Sequence, residues 1–295
     1  MTRILAATTN GFFEWPDESR SAEGMEVNSL ALTDSLRYAL ANRATVLNND
    51  GEGWQEIARV REVRANCLIP ARSGLFVGTS DAHLLKEEGG RFVTLDAFES
   101  APGRDEWFTP WGGPPDVRSL AEDDRGTLYC NVHVGGILRS DDGGASWTPT
   151  IEIRSDVHEV TTAADKVIAA TAWGLASSTD EGGSWEFDDG SLHATYARAV
   201  VVAGDVVVMS ASSGPRGDAS TLYRRSLDAP GSFVRCGGEL PEWFSDNVDT
   251  GCLAASGETV AFGTENGELF LSDNSGETFT RVAGNLASVR WVELL

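Results

Sequence analysis

The chain has 295 residues, 41% of them hydrophobic, enough for one large all-β domain or two ordinary ones. Its formal net charge of -22, from 45 acidic against 23 basic side chains, repels polyanions and argues against nucleic acid and anionic membranes as partners. The 32 glycines and 9 tryptophans, set among many valines, threonines and serines, favour short strands and tight turns over helices.

In chain order, the opening "MTRILAATTNGFF" has neither the apolar run nor the small-residue cleavage site of a signal peptide. No later stretch approaches a membrane span, so a cytoplasmic protein is expected. The segment "RILAATTNGFFEW" reads as second and third strands of a repeat that lacks its first. After it comes a box, S-x-D-x-G-x-[ST]-[WF], matched fully at residues 140–147 and 178–185 and at 272–279 with Asn274 in place of the acid. Weaker copies lie at 47–54, 85–92 and 226–233. The closing aromatics Trp54, Phe92, Trp147, Trp185, Phe233 and Phe279 fall roughly 40 to 55 residues apart, the spacing of propeller blades.

Each copy keeps one order: apolar segment, turn, second apolar segment, Gly, third segment, box, fourth segment. Blade four shows it in "VRSLAED", "GTLYCNV", "GILRS" and "WTPTIEI". Four short antiparallel strands make a blade. Blade six differs by the insertion "ASSGPRGDAS" between its second and third strands. The C-terminal "SVRWVELL" reads as a first strand with nothing after it, which supplies what the N-terminus lacks. The expectation is therefore a single all-β domain over 1–295: a seven-bladed β-propeller of four-stranded antiparallel blades whose closing blade is shared by the two termini, with six blades as the alternative count. Pairing the termini removes exposed sheet edges.

The box is identified as the Asp-box, or BNR repeat, and the chain resembles Asp-box propellers over nearly its whole length. Relatives by this motif include sialidases, sortilin-type receptors, xyloglucan hydrolases and photosystem II assembly factors. The resemblance implies turns on the rim, away from any ligand. Physically, the Asp carboxylate accepts backbone N–H bonds, Gly supplies an unusual conformation and the aromatic packs between sheets. Asp142 and Asp180 are accordingly read as structural, and the chemistry is sought elsewhere.

In a propeller the first strand of each blade lines the central channel. The residue two places before the main apolar position of each first strand is Asn28, Asn66, Arg118, His158, Arg198, Gly251 and Arg290. Six of these are polar donors and three are arginine, a guanidinium fork that matches carboxylate or phosphate oxygens. The competing reading is that these groups satisfy neighbouring carbonyls and channel waters. His133, His158 and His193 fall on one expected face in consecutive blades, as candidate acid–base groups or ligands of a divalent Zn, Fe or Mn ion, although no short-spaced ligand motif supports a metal. His83 is less clearly aimed inward. Tyr196, Trp173, Glu265, Arg216 and Asp218 complete the candidates, while Glu159 should face packing because it neighbours His158 on a strand.

Sialidases also grip a carboxylate with three arginines, and Arg118, Arg198, Arg290 and Tyr196 look superficially similar. The Arg-Ile-Pro motif of that family is missing, with only Leu68-Ile69-Pro70 in its place. Cys67, Cys130, Cys236 and Cys252 are scattered and read as apolar fillers without disulfides. Lysine is confined to Lys86 and Lys166, an arginine bias that fits a GC-rich genome or adaptation to high salt. Three functions follow from these residues. The first is a pocket for a small anionic or saccharide ligand, with hydrolase or lyase chemistry if catalytic, built from Arg118, Arg198, Arg290, Asn28, Asn66, Trp173 and Tyr196 around the histidines. The second is a protein-binding scaffold, as the assembly-factor relatives imply. The third is a metal-dependent enzyme using His133, His158 and His193.

Overall fold

A computed structural model describes residues 2–229 and 231–295. The chain forms seven antiparallel sheets, a seven-bladed β-propeller. Blade one joins Val289–Leu294 to Ile4–Thr8, Gly11–Trp15 and Ser19–Ser21. Here Ile4 pairs with Leu294 and Ala6 with Val292, so the two terminal segments share a sheet as the sequence requires. Blade two is Val27–Leu32, Arg37–Ala41, Thr45–Asn49 and Gln55–Arg59; blade three is Ala65–Ala71, Gly74–Thr79, Leu84–Glu88 and Arg91–Thr94. Blade four is Val117–Glu122, Leu128–Val132, Gly136–Ser140 and Thr148–Pro149; blade five is Val157–Ala163, Lys166–Thr171, Gly174–Ser178 and Glu186–Asp188. Blade six is Val200–Ala203, Val206–Ala211, Thr221–Ser226 and Val234–Arg235. Blade seven, Leu253–Ser256, Thr259–Gly263, Leu269–Ser272 and Thr278–Ala283, carries a fifth, parallel strand, Gly237–Gly238, on its outer edge.

By internal contacts the chain groups into two compact units, one of residues 1–27, 170–176 and 187–295, the other of 28–169 and 177–186. In the second unit the core between blades two and three is aliphatic, with Leu40, Val46, Leu68, Val77 and Leu85 buried together. In the first it is aromatic around blades six and seven, where Phe262 and Phe270 stack at 4.8 Å and Phe244 and Phe279 meet Phe262 edge-on. Burial falls from strand two outward. Leu128–Val132 and Val206–Ala211 are buried throughout, whereas Ser19–Ser21 and Thr148–Pro149 are exposed throughout. Continuous apolar runs thus mark strands covered on both faces, and polar ones mark the edge.

The acidic boxes are turns between third and fourth strands with one hydrogen-bond plan. Asp142 Oδ1 accepts from Ser140 Oγ at 2.9 Å and Ser146 N at 2.8 Å, and Oδ2 accepts from Ser146 Oγ at 2.6 Å. Asp180 repeats this with Ser178 and Ser184. Asn274 does so with Ser272 and Thr278, its Nδ2 donating where the acid would accept. The glycine three residues before each closing aromatic, Gly144, Gly182 and Gly276, has φ of 94°, 90° and 76°, which is why glycine stands there. These bonds favour the charged carboxylate, led by the Ser184 hydroxyl, and hold Asp180 at about 2. The weaker copy at 226–233 includes Pro230, which lies outside the described residues.

Between blades three and four the chain makes an excursion that the repeat pattern does not announce. Short helical turns at Asp96–Glu99 and Arg104–Glu106 occupy it. Phe98, fully buried, meets the box residue Trp147 edge-on at 5.4 Å and Trp107 at 5.7 Å. That aromatic anchor fixes the segment leading to Trp111.

Candidate functional site

The aligned polar positions are second residues of first strands for Asn28, Asn66, Arg118, His158 and Arg290. At Asn66, Arg118 and Arg290 the pairing register skips the residue, so each is a bulge. A bulge frees a side chain from strand alternation and re-aims it, which is how one sequence offset recurs from blade to blade. Room for the fold beside one of them comes from Gly78, where a Cβ would stand 2.3 Å from Val117 Cγ1.

His133 follows the second strand of blade four and is buried, its backbone N–H donating to Asp116 O at 2.8 Å. His158 is fully buried in the first strand of blade five. Two residues before it, Asp156 closes the turn Ile153–Ser155 in a left-handed conformation, φ 49° and ψ 65°. That geometry brings its carboxylate to both imidazoles: Asp156 Oδ1 lies 2.8 Å from His133 Nε2 and 3.7 Å from His158 Nε2. Asp156 Oδ1 is buried against the His133 ring. The rings of His133 and His158 are 5.5 Å apart. Trp111, 65% exposed, lies over His133 with centroids 5.2 Å apart. Burial works to raise the Asp156 pKa, but the His133 contact and the charges of His158, His133 and Arg118 outweigh it and hold the carboxyl below its ordinary value.

Among the described residues, His133, Asp156 and His158 are the one group of three or more potential ligands whose donor atoms all lie within 4.8 Å of one another. The Asp156 oxygen, 2.8 and 3.7 Å from the two ring nitrogens, is near enough to each to share an ion with it. Two imidazoles and one carboxylate form a donor set for Zn, Fe or Mn that leaves coordination positions open.

His193 does not join them. Its Nδ1 is 2.9 Å from Tyr223 Oη and its ring centroid 4.7 Å from that of Trp243, so the expected set of three histidines is corrected to two histidines and Asp156. Desolvation lowers the His193 pKa. Arg198 pairs with Asp249 at 3.2 Å and lies over the Tyr196 ring; Arg290 pairs with Glu265 at 3.6 Å. Both arginines therefore have carboxylates of their own. Asn28 Oδ1 accepts the Arg43 N–H, and Asn66 accepts from Arg43 Nη1 and donates to Val117 O, the carbonyl-satisfying role weighed against ligand binding. Trp173 is 46% exposed and packs on Phe187, while Arg216 and Asp218 are exposed in the blade-six insertion. His83 contacts Glu99, which Arg104 also holds. Glu159 is buried, and all four cysteines are free and buried, the thiols of Cys67 and Cys236 pushed by burial to about 12.

Sequence reasoning missed Asp156 and Trp111. The spacing Asp156-x-His158 was legible, but Asp at that point also reads as a turn residue, and Trp111 sits in a segment outside the repeat.

No family model matches the sequence, and no curated protein matches it. Solved structures do match. YCF48 bound to D1 peptide has a TM-score of 0.60 at 14% identity over 95% of this chain and 84% of that one. A GH74 enzyme of Niastella koreensis has 0.63 at 14% over 94% of this chain, which spans 46% of the enzyme's chain. The RRP9 WD40 repeats have 0.65 at 12% over 92% and 85%. An enzyme, a peptide-bound protein and WD40 repeats on one frame carry the fold and leave activity to the site.

Proposed function

We propose that the protein binds one divalent transition-metal ion through His133 Nε2, Asp156 Oδ1 and His158 Nε2, and uses it to engage a small carboxylated or phosphorylated ligand for hydrolase or lyase chemistry. The observation that carries this reading is the convergence of three ligand atoms within 4.8 Å of one another, two of them on buried histidines. Bound there, a metal would supply a Lewis acid. Asp156, held below the usual carboxylate range, is ready to ligate at neutral pH. Arg118, whose charge already acts on Asp156, offers a fork to an incoming anion. Trp111 offers an exposed face beside His133. The buried free thiols suit a reducing, cytoplasmic setting.

The test is calorimetric titration of EDTA-dialysed protein with Zn²⁺, Mn²⁺ and Co²⁺, with elemental analysis of protein purified without added metal. Stoichiometric binding that disappears in Asp156→Ala supports the reading. Absence of stoichiometric binding by any of the three ions overturns it and leaves His133, Asp156 and His158 as a structural clamp.

A further inference from the structure

A cavity of about 730 Å³ lies between the outer parts of blades two and three, with neither His133 nor His158 in its lining, and Arg59, Arg61, Val63, Leu85, Arg91 and Phe92 line it. Arg59 ends the outer strand of blade two, Arg61 and Val63 belong to the connection that follows, and Arg91 and Phe92 begin the outer strand of blade three. Its volume falls in the range that holds small molecules.

Charge makes this cavity unusual. In a chain of net charge -22, most arginines of this unit are held in place: Arg104 by Glu99, Arg125 by Asp123, Arg139 by Asp141. Arg59 is clamped by Glu56. The side chains of Arg61 and Arg91 make no hydrogen bond or ion pair among the described residues, although both are exposed and line the same cavity. Glu62 is the one acid in the lining, and His83, also there, is in contact with Glu99. Thr94 and Gly90 also line it, and the apolar part of the wall is Leu85, which is buried, with Val63 and Phe92, which are half-buried.

We infer that this cavity binds a small amphipathic carboxylate, its apolar body against Val63, Leu85 and Phe92 and its anionic head between Arg61 and Arg91. A guanidinium donates two parallel N–H bonds to a carboxylate, and two guanidinium groups beside Val63, Leu85 and Phe92 favour an anion carrying a hydrocarbon body over a fully hydrated one. The inference does not depend on a metal at Asp156.

Octanoate is the probe, titrated calorimetrically into the full chain, with inorganic phosphate for comparison. Saturable octanoate binding at least tenfold tighter than phosphate is expected. The Arg61→Ala/Arg91→Ala double variant should weaken it tenfold or more with the thermal midpoint unchanged, since both side chains are exposed and bond nothing. Asp156→Ala should leave octanoate affinity unaltered. The inference is overturned by absence of saturable octanoate binding, by a double variant that binds as the wild type does, or by loss of binding in Asp156→Ala.

Discussion

Asp142 and Asp180 contrast with Asp156, and the contrast separates what builds this fold from what is available for chemistry. The turn carboxylates are satisfied within four residues of their own positions, by serine hydroxyls and backbone N–H groups. Asp156 reaches instead to a histidine on the previous blade and another on the next strand, with its Oδ1 buried between them. A carboxylate with its local bonds complete has nothing left to offer a ligand; one held between imidazoles does.

The largest expected effect breaks the contrast on the Asp156 side. Asp156→Asn should lower Zn²⁺ affinity a hundredfold or more by removing an anionic ligand, whereas Asp142→Asn should leave it unchanged; equal losses in calorimetry would erase the distinction. Next comes Glu293, a carboxylate with a hydrogen bond from Trp291, which burial pushes up to about 7 from 4.5. Because its folded pKa is raised, the folded state favours the protonated acid, so stability should fall as pH rises from about 4.5 through about 7. The cost above that window is about 2 kcal/mol, reduced for the partial exposure of the side chain. Glu293→Gln should abolish this component of the pH dependence in urea unfolding between pH 5 and 8.

Smaller effects sharpen the turn side. Asp142→Ala should cost about 1–2 kcal/mol in chemical denaturation, for bonds lost at a partly exposed site. Asp142→Asn should cost less than about 0.5 kcal/mol, since Asn274 already fills the same place in blade seven with the corresponding bonds. Asp180, lowered from 3.8 to about 2, stabilises the fold above its unfolded value and loses that contribution as pH falls toward 2. Acid titration of Asp180→Asn should show a shallower decline over that window.

Much of the architecture could be read in advance because each blade repeats its own instructions. The boxes set the third-to-fourth strand turns, the shared closing blade follows from the strand types of the two ends, and the offset that aligns Asn66, Arg118 and Arg290 marks a recurring bulge. The fifth strand of blade seven could not be read, because Gly237–Gly238 pairs by position and has no strand-like side chains. Nor could the pairing of Arg198 with Asp249 or Arg290 with Glu265, which depends on loops whose direction no local pattern sets.

The sequence by itself determined the repeated four-stranded blade, the order of the blades and the structural role of the acidic turns, because those depend on spacing and on bonds between residues a few positions apart, while the count of seven over six came from the sheets themselves. Tertiary structure alone decided which polar residues meet. His193 turns to Tyr223 and Trp243, Asp156 takes its place beside His133 and His158, and Trp111 comes over His133 from outside the repeat. Those contacts join residues from separate blades and connections, and close approach between them is fixed by how the strands pack and by single backbone conformations such as that of Asp156, neither of which a repeat pattern encodes.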